Sequence, residues 1–232
     1  MKISCILASY NRPVFVRQAL RSIRDQTHQD FELIVVDNST KMNFLEILRD
    51  PEFQSLLTRT VVISQRVSTE QRSKVNMLGV AINAGLARAT GDLVCFLADD
   101  DAYFSTWFEK ASAYFEKAPA SVSVGFGILK YCHDELDFAE HGEIRFWDEI
   151  IKDPGGRLDH NQIVHRRFDP IQKWPENLGT ESNADFWYFQ QLANQYDFHP
   201  INAFAAVKRL HSKNLQNHVS LYQSGKMDDL RE

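Results

Sequence analysis

Leu93-Val94-Cys95-Phe96-Leu97-Ala98 runs without a polar break into Asp99-Asp100-Asp101. Six apolar residues with no alternation read as a strand buried on both faces, the pattern of a central strand in a parallel sheet. In open α/β sheets the crevice beyond the carboxyl ends of the strands is where ligands bind. Three adjacent carboxylates repel one another and call for a compensating cation. A hard divalent ion, held by one or two of them together with substrate phosphates, is one solution. A solvated acidic turn is the other reading, because aspartate bonds readily to nearby backbone.

Working outward, strand and helix patterns alternate. Ile3 to Ala8 reads as a strand, followed by the turn Ser9-Tyr10-Asn11-Arg12-Pro13. Val14 to Asp25 repeats apolar residues at helical spacing through Val16, Ala19, Leu20 and Ile23, with Pro13 suited to its first turn. Leu33 to Val36 is a second buried strand, ending in Asp37; Phe44 to Leu48 is a short helix and Val61 to Ile63 a third strand. Asn76 to Ala89 reads as a helix closed by Gly91, burying Val80, Ile82, Leu86 and Ala89. Thr106 and Glu109 have capping-box spacing for a helix reaching Lys117. This order predicts an α/β fold with right-handed crossovers. The second half is less regular: strand character from Val122 to Tyr131, a short strand from Gln162 to His165, a helix over Ala184 to Gln195, and a strand from Ala203 to Leu210. With no linker between them, residues 1–117 and 118–232 read as two lobes of one continuous unit.

Composition limits the partners. The 232 residues are 44% hydrophobic and 25% charged, as in ordinary globular proteins, and the net charge of −5 argues against nucleic acid. No apolar stretch approaches the roughly 20 residues of a membrane span. Cys5, Cys95 and Cys132 are odd in number and widely spaced, as buried thiols in a reducing compartment would be. With no secretory leader discernible, a cytoplasmic location is expected.

No G-x-x-x-x-G-K-[ST] occurs, and no G-x-G-x-x-G follows the first strand, so a nucleotide here would be held by side chains and a metal. "ILASYNRP", "FELIVVDNST" and "INAGLARATGDLVCFLADDDAYF", in that order, resemble glycosyltransferase family 2, and in particular its spore-coat polysaccharide synthesis type. The resemblance covers residues 3–117 and implies a GT-A (Rossmann-like) fold, a mainly parallel sheet with helices on both faces and a smaller mixed acceptor lobe. It implies a nucleotide-sugar-binding lobe over 1–117 and an acceptor-binding lobe over 118–232. The implied activity is metal-dependent (Mn2+ or Mg2+), inverting transfer of a sugar from a nucleotide-diphosphate sugar to an acceptor hydroxyl, in polysaccharide or glycoconjugate synthesis.

Carried over by residue, the resemblance gives Asp37 to the N3–H of uracil or thymine, an Asx-turn being its plainer role. Ala8 and Tyr10 would line the base pocket, with Asn11 and Arg12 close by. Asp99 would touch ribose or metal and Asp100 the metal; an Asp-x-Asp register through Asp99 and Asp101 also fits, and Ala98 stands where many members carry the first acid. Arg72 and Lys74 would face the diphosphate, or be only a solvated helix start. "VKRLHSKNL" resembles a late motif whose histidine, His211 here, touches metal or diphosphate; imidazole suits Mn2+.

Attack by a hydroxyl needs a base to take its proton. The resemblance places that base at the start of a late helix, where Asp185 is the first candidate, Glu181 the second, and Asn183 the match in one alignment. Asp159-His160-Asn161-Gln162 and His165-Arg166-Arg167 form polar clusters that would face the acceptor, and Trp147, Trp174, Trp187 and Tyr188 would stack on sugar or fill core. Two other classes remain beside the transferase. A nucleotidyltransferase should show a glycine-rich loop near its N-terminus, and "ILASYNRP" has no glycine. A non-catalytic nucleotide-sugar or glycan-binding relative would bind a donor without turnover. Donor sugar, the choice of UDP or dTDP, the acceptor and the oligomeric state leave no readable mark.

Overall fold

The structure, a computed structural model, describes residues 1–65, 74–132, 143–177 and 183–211. Nine strands form one sheet: β1 (Ile3–Ser9), β2 (Phe31–Asp37), β3 (Thr60–Ser64), β4 (Leu93–Ala98), β5 (Ala102–Tyr103), β6 (Val124–Cys132), β7 (Ile144–Arg145), β8 (Ile163–Arg166) and β9 (Phe198–Arg209). Their order is β3-β2-β1-β4-β8-β6-β9-β5, with β7 attached to β6. The first four are mutually parallel, and β8 joins β4 and β6 antiparallel. Strands from both halves of the sequence therefore share one sheet.

β4 has the two-faced burial its sequence predicts. Leu93, Cys95 and Leu97 enter the core on one side, and Val94 and Phe96 the core on the other. The first core is covered by the Pro13–Arg24 helix, through Val16, Ala19, Leu20 and Ile23, and by the Trp107–Lys117 helix. The second is covered by Ile82 and Leu86 of the Met77–Leu86 helix and by Tyr188, Phe189 and Leu192 of the Ala184–Ala193 helix. Each fully buried Val, Leu, Ile or Phe among these is worth roughly 1.5–3 kcal/mol of transfer free energy.

Several local expectations need correction. The Met77–Leu86 helix ends before Ala89, and Val80 is only half-buried. Gly91 does not cap it; a Cβ there would lie 2.7 Å from the Ser4 amide nitrogen, so glycine is required by close approach to β1. Thr106 makes no side-chain capping bond, and the Glu109 carboxylate accepts from the Thr27 hydroxyl at 2.8 Å. In the Ala184–Ala193 helix Tyr188 joins Phe189 and Leu192 in the core, whereas Phe186 and Ala193 are half-buried. All three cysteines are buried free thiols. Among the described residues no helix is long and apolar enough to cross a membrane.

Candidate active site

Parallel packing aligns the tips of β1, β2 and β4. Ser9 sits in register with Asp37, and Ala8 with both Val36 and Ala98. The turn after β1 is tied to the turn after β2 by Asn11, whose φ is 50°. Its side-chain oxygen accepts from Thr40 and Lys41 amides at 3.0 Å each, and its amide nitrogen donates to the Thr40 hydroxyl at 2.9 Å. Asp37 is buried beside this tie and accepts from the Ser39 amide at 3.0 Å, so the Asx-turn is present.

The acidic triplet forms a tight turn in which the Asp101 amide donates to the Ala98 carbonyl. All three aspartates are buried, so the solvated-turn reading does not hold. Asp99 accepts from the Tyr10 amide at 2.7 Å and from the Arg12 guanidinium at 3.0 Å. Asp100 Oδ2 accepts from the same Arg12 nitrogen at 2.5 Å and lies 3.1 Å from His211 Nε2. The cation facing these two carboxylates is thus Arg12, nine-tenths buried at the first turn of the Pro13–Arg24 helix. Burial alone would raise the Asp100 carboxyl, but the charge of Arg12 and the bond with His211 outweigh it and hold Asp100 ionised.

Asp101 faces inward. One oxygen accepts from the Arg209 amide and the other from Asn161 Nδ2, both at 2.7 Å. Burial first, and then the negative charge of Asp100, push its pKa up to about 8. These bonds tie the turn after β4 to β9 and to Asn161.

The second half supplies a polar chain that the sequence reading left as clusters. Asn161 is fully buried, and its amide nitrogen donates to both Asp101 and Asp159 at 2.7 Å each, while its oxygen accepts from the Ala98 amide at 2.9 Å. Asp159 also holds the Lys208 ammonium. Burial would raise the Asp159 carboxyl, but Lys208 keeps it well below the usual carboxylate range. His160 is buried with no hydrogen bond to either ring nitrogen, and its Nδ1 lies 3.6 Å from Asp159 and 3.9 Å from Asp185. Asp185 heads the Ala184–Ala193 helix, where the helix dipole favours a carboxylate. Asp101, Asn161, Asp159, His160 and Asp185 therefore form one continuous line from the triplet to the helix.

Asp185, Asp159 and Lys208 open into a cavity of about 720 Å³ that Tyr131, Trp147 and Phe186 also line. Trp174 and Tyr188 are core instead, stacked on one another at 4.8 Å. His165 is core as well, stacked on Phe168. Arg72 and Glu181 lie outside the described residues.

Two donor sets bear on the metal that the resemblance implies. Asp100 and His211 offer an ionised carboxylate and an imidazole 3.1 Å apart, a fit for Mn2+ or Mg2+ with imidazole favouring the former. Asp159, His160 and Asp185 also bring ligand atoms within 4.8 Å of one another. Each set already holds a cation, the Lys208 ammonium on Asp159 and the Arg12 guanidinium on Asp100, so charge does not separate the two.

The sequence profile of glycosyl transferase family 2 matches residues 4–196. The chain belongs to this family. Protein CgeD of Bacillus subtilis (strain 168) is 25% identical to this family 2 chain over 214 residues, 87% of its length and 48% of CgeD. The chain thus spans about half the length of that relative. S. aureus TarS 1-349 in complex with UDP-GlcNAc superposes with a TM-score of 0.65 at 18% identity, over 95% of this chain and 61% of that one. Mannosyltransferase PcManGT from Pyrobaculum calidifontis, in complex with GDP-Man and Mn2+, gives 0.53 at 15% identity over 89% and 56% of the two chains. At these identities the likeness shows the fold, and it is the GT-A architecture of family 2.

Proposed function

We propose that the chain transfers a sugar from a nucleotide-diphosphate sugar, with UDP or dTDP as the nucleotide, to an acceptor hydroxyl with inversion, in polysaccharide or glycoconjugate synthesis. The observation that carries this is the convergence of Asp37, Asp99, Asp100 and Arg12 at the tips of three parallel strands, completed by His211 from the far end of the chain. Nucleotide sugars bound to structural neighbours support the donor class.

In this reading Asp37 accepts from the base N3–H with the oxygen not used by Ser39, and Ala8 and Tyr10 border the base. Asp99 stands at the ribose. Arg12 supplies positive charge to the diphosphate. A divalent ion held by Asp100 and His211 would contribute Lewis-acid stabilisation of the leaving diphosphate. Asp185 takes the proton of the acceptor hydroxyl as its oxygen bonds to the anomeric carbon. The bond from that carbon to the diphosphate oxygen breaks with its electron pair staying on the oxygen, and attack from the opposite face inverts the centre.

A thermal-shift panel of UDP, dTDP, GDP and CDP with and without Mn2+ tests the reading. Stabilisation grows as RT ln(1 + [L]/Kd), so UDP or dTDP should raise Tm more than GDP or CDP, and more with Mn2+ than without. A panel with no nucleotide effect rejects the donor site. Transfer without release of a nucleoside diphosphate rejects the reaction.

A further inference from the structure

The cavity beside Asp185 has a composition that names its ligand class. Four aromatic side chains line it, Tyr131, Phe146, Trp147 and Phe186. Two of the rings are fixed by arginines, Arg157 over Trp147 at 5.2 Å and Arg145 over Tyr131 at 5.2 Å. Rigid aromatic faces suit the C–H face of a pyranose, while polar groups between them suit its hydroxyls.

Charge decides between neutral and anionic sugars. Lys208 is paired with Asp159, while Arg145 keeps its charge over the Tyr131 ring. Against that one charge stand the carboxylates of Glu143 and Asp185, so the described lining is net negative. A phosphate or uronate would enter against that net charge. A hydroxyl meets acceptors for its hydrogen instead. The volume of about 720 Å³ lies within the usual range of ligand sites and leaves room for more than one ring.

We infer that this cavity is the acceptor site and that it takes a neutral saccharide of at least two rings, stacked on Trp147 and Phe186 with one hydroxyl at Asp185. The inference rests on the proposed function for the role of Asp185, but saccharide binding itself can be measured without it. The probes are cellobiose and N,N′-diacetylchitobiose, with D-glucuronic acid and glycerol 3-phosphate as anionic comparators. Each is titrated into the full chain by saturation-transfer NMR and calorimetry, with and without UDP and Mn2+.

At least one neutral disaccharide should bind and the anionic compounds should not. Trp147→Ala and Phe186→Ala should each weaken that binding roughly tenfold, the scale of a lost aromatic platform. Trp147→Phe should restore most of it, and UDP affinity should stay at the parental value in all three variants. Binding of the anionic compounds alone overturns the ligand class. Neutral binding indifferent to Trp147 and Phe186, or no saccharide binding while UDP binds normally, overturns the site. Saccharide binding in a chain that binds no nucleotide would instead uphold the cavity and reject the donor reading.

Discussion

Asn161→Ala removes the side chain on which the two halves of the site meet. Three hydrogen bonds go with it, from Asn161 to Asp101 and to Asp159 at 2.7 Å each, and from the Ala98 amide at 2.9 Å. Bonds to charged groups contribute about 1.5–3 kcal/mol and neutral ones about 0.5–1.5 kcal/mol. Asp159 is ionised, whereas Asp101, pushed up to about 8, is largely protonated at neutral pH, so one of the three bonds is to a charged group. Neither acid is left bare. Asp101 keeps the Arg209 amide, and Asp159 keeps Lys208 and the Asn161 amide. The expected loss is therefore about 2.5–6 kcal/mol, a large part of the roughly 5–15 kcal/mol that a folded domain has available. Urea unfolding at neutral pH, followed by circular dichroism, measures it directly, with an unchanged slope showing that the folded state has kept its compactness. Asn161→Asp keeps an acceptor for the Ala98 amide but sets a second carboxylate against Asp159 in place of the Nδ2 donor, and should be no more stable than the alanine variant at neutral pH. A loss below about 1 kcal/mol for Asn161→Ala would mean that water or neighbouring groups replace all three bonds, refuting the view of Asn161 as the tie.

Asp100→Asn removes charge at nearly constant volume and should abolish the Mn2+-dependent part of UDP stabilisation in a thermal-shift assay; unchanged metal dependence would move the ion elsewhere. Asp37→Ala should weaken UDP or dTDP binding by roughly 1–3 kcal/mol by calorimetry, the cost of an unpaired polar group, and parental affinity would place the base in another pocket. Asp185→Asn should keep donor binding and lose transfer by about 10² to 10⁴, while Glu181→Gln loses much less; the reverse ranking gives the base role to Glu181, and a product with retained configuration excludes single displacement. Burial holds the His165 imidazole down at about 4, with Nδ1 on the Arg166 carbonyl and Nε2 on the Tyr188 hydroxyl. The unfolded chain takes up a proton near pH 6.5 that the fold refuses, so the His165 contribution is complete above that pH and falls by up to about 3 kcal/mol on acidification toward pH 4. Asp101, raised to about 8, titrates in the opposite sense over the same range. The stability of His165→Phe relative to the parent, from urea unfolding, should therefore rise by up to about 3 kcal/mol between pH 6.5 and 4, and a constant difference would refute the assignment.

The parts of the fold that proved legible are those whose signal is local. Leu93–Ala98 and Phe44–Leu48 have the bounds read from their apolar runs, and the buried face of the Pro13–Arg24 helix is the one its spacing gives. The apolar pattern of β9 reads as strand only from Ala203, although the strand begins at Phe198, because Pro200 and Asn202 interrupt it. The Thr106–Glu109 pair had the spacing of a cap, but Thr27, a residue from another turn, claims the carboxylate. The triplet pointed to a crevice, yet nothing local in it identified its partners. Asn161 is 60 residues from Asp101, and Arg209 is 108 residues from it. The half-buried Lys208 and buried Arg209 stand within the "VKRLH" stretch, where two adjacent cations ordinarily signal a solvated face.

Among the described residues β9 is the last strand in chain order, and the inward acid that it secures belongs to a turn made much earlier. At synthesis rates of about 5–20 residues per second, Asp101 precedes Arg209 on the ribosome by roughly 5–20 s. Through that interval the growing chain carries an aspartate whose place in the core has not yet been built, and His211 has not arrived beside Asp100. In the proposed reading, the pair Asp100 and His211 is therefore completed only when the segment bearing Lys208, Arg209 and His211 slides in between β6 and β5.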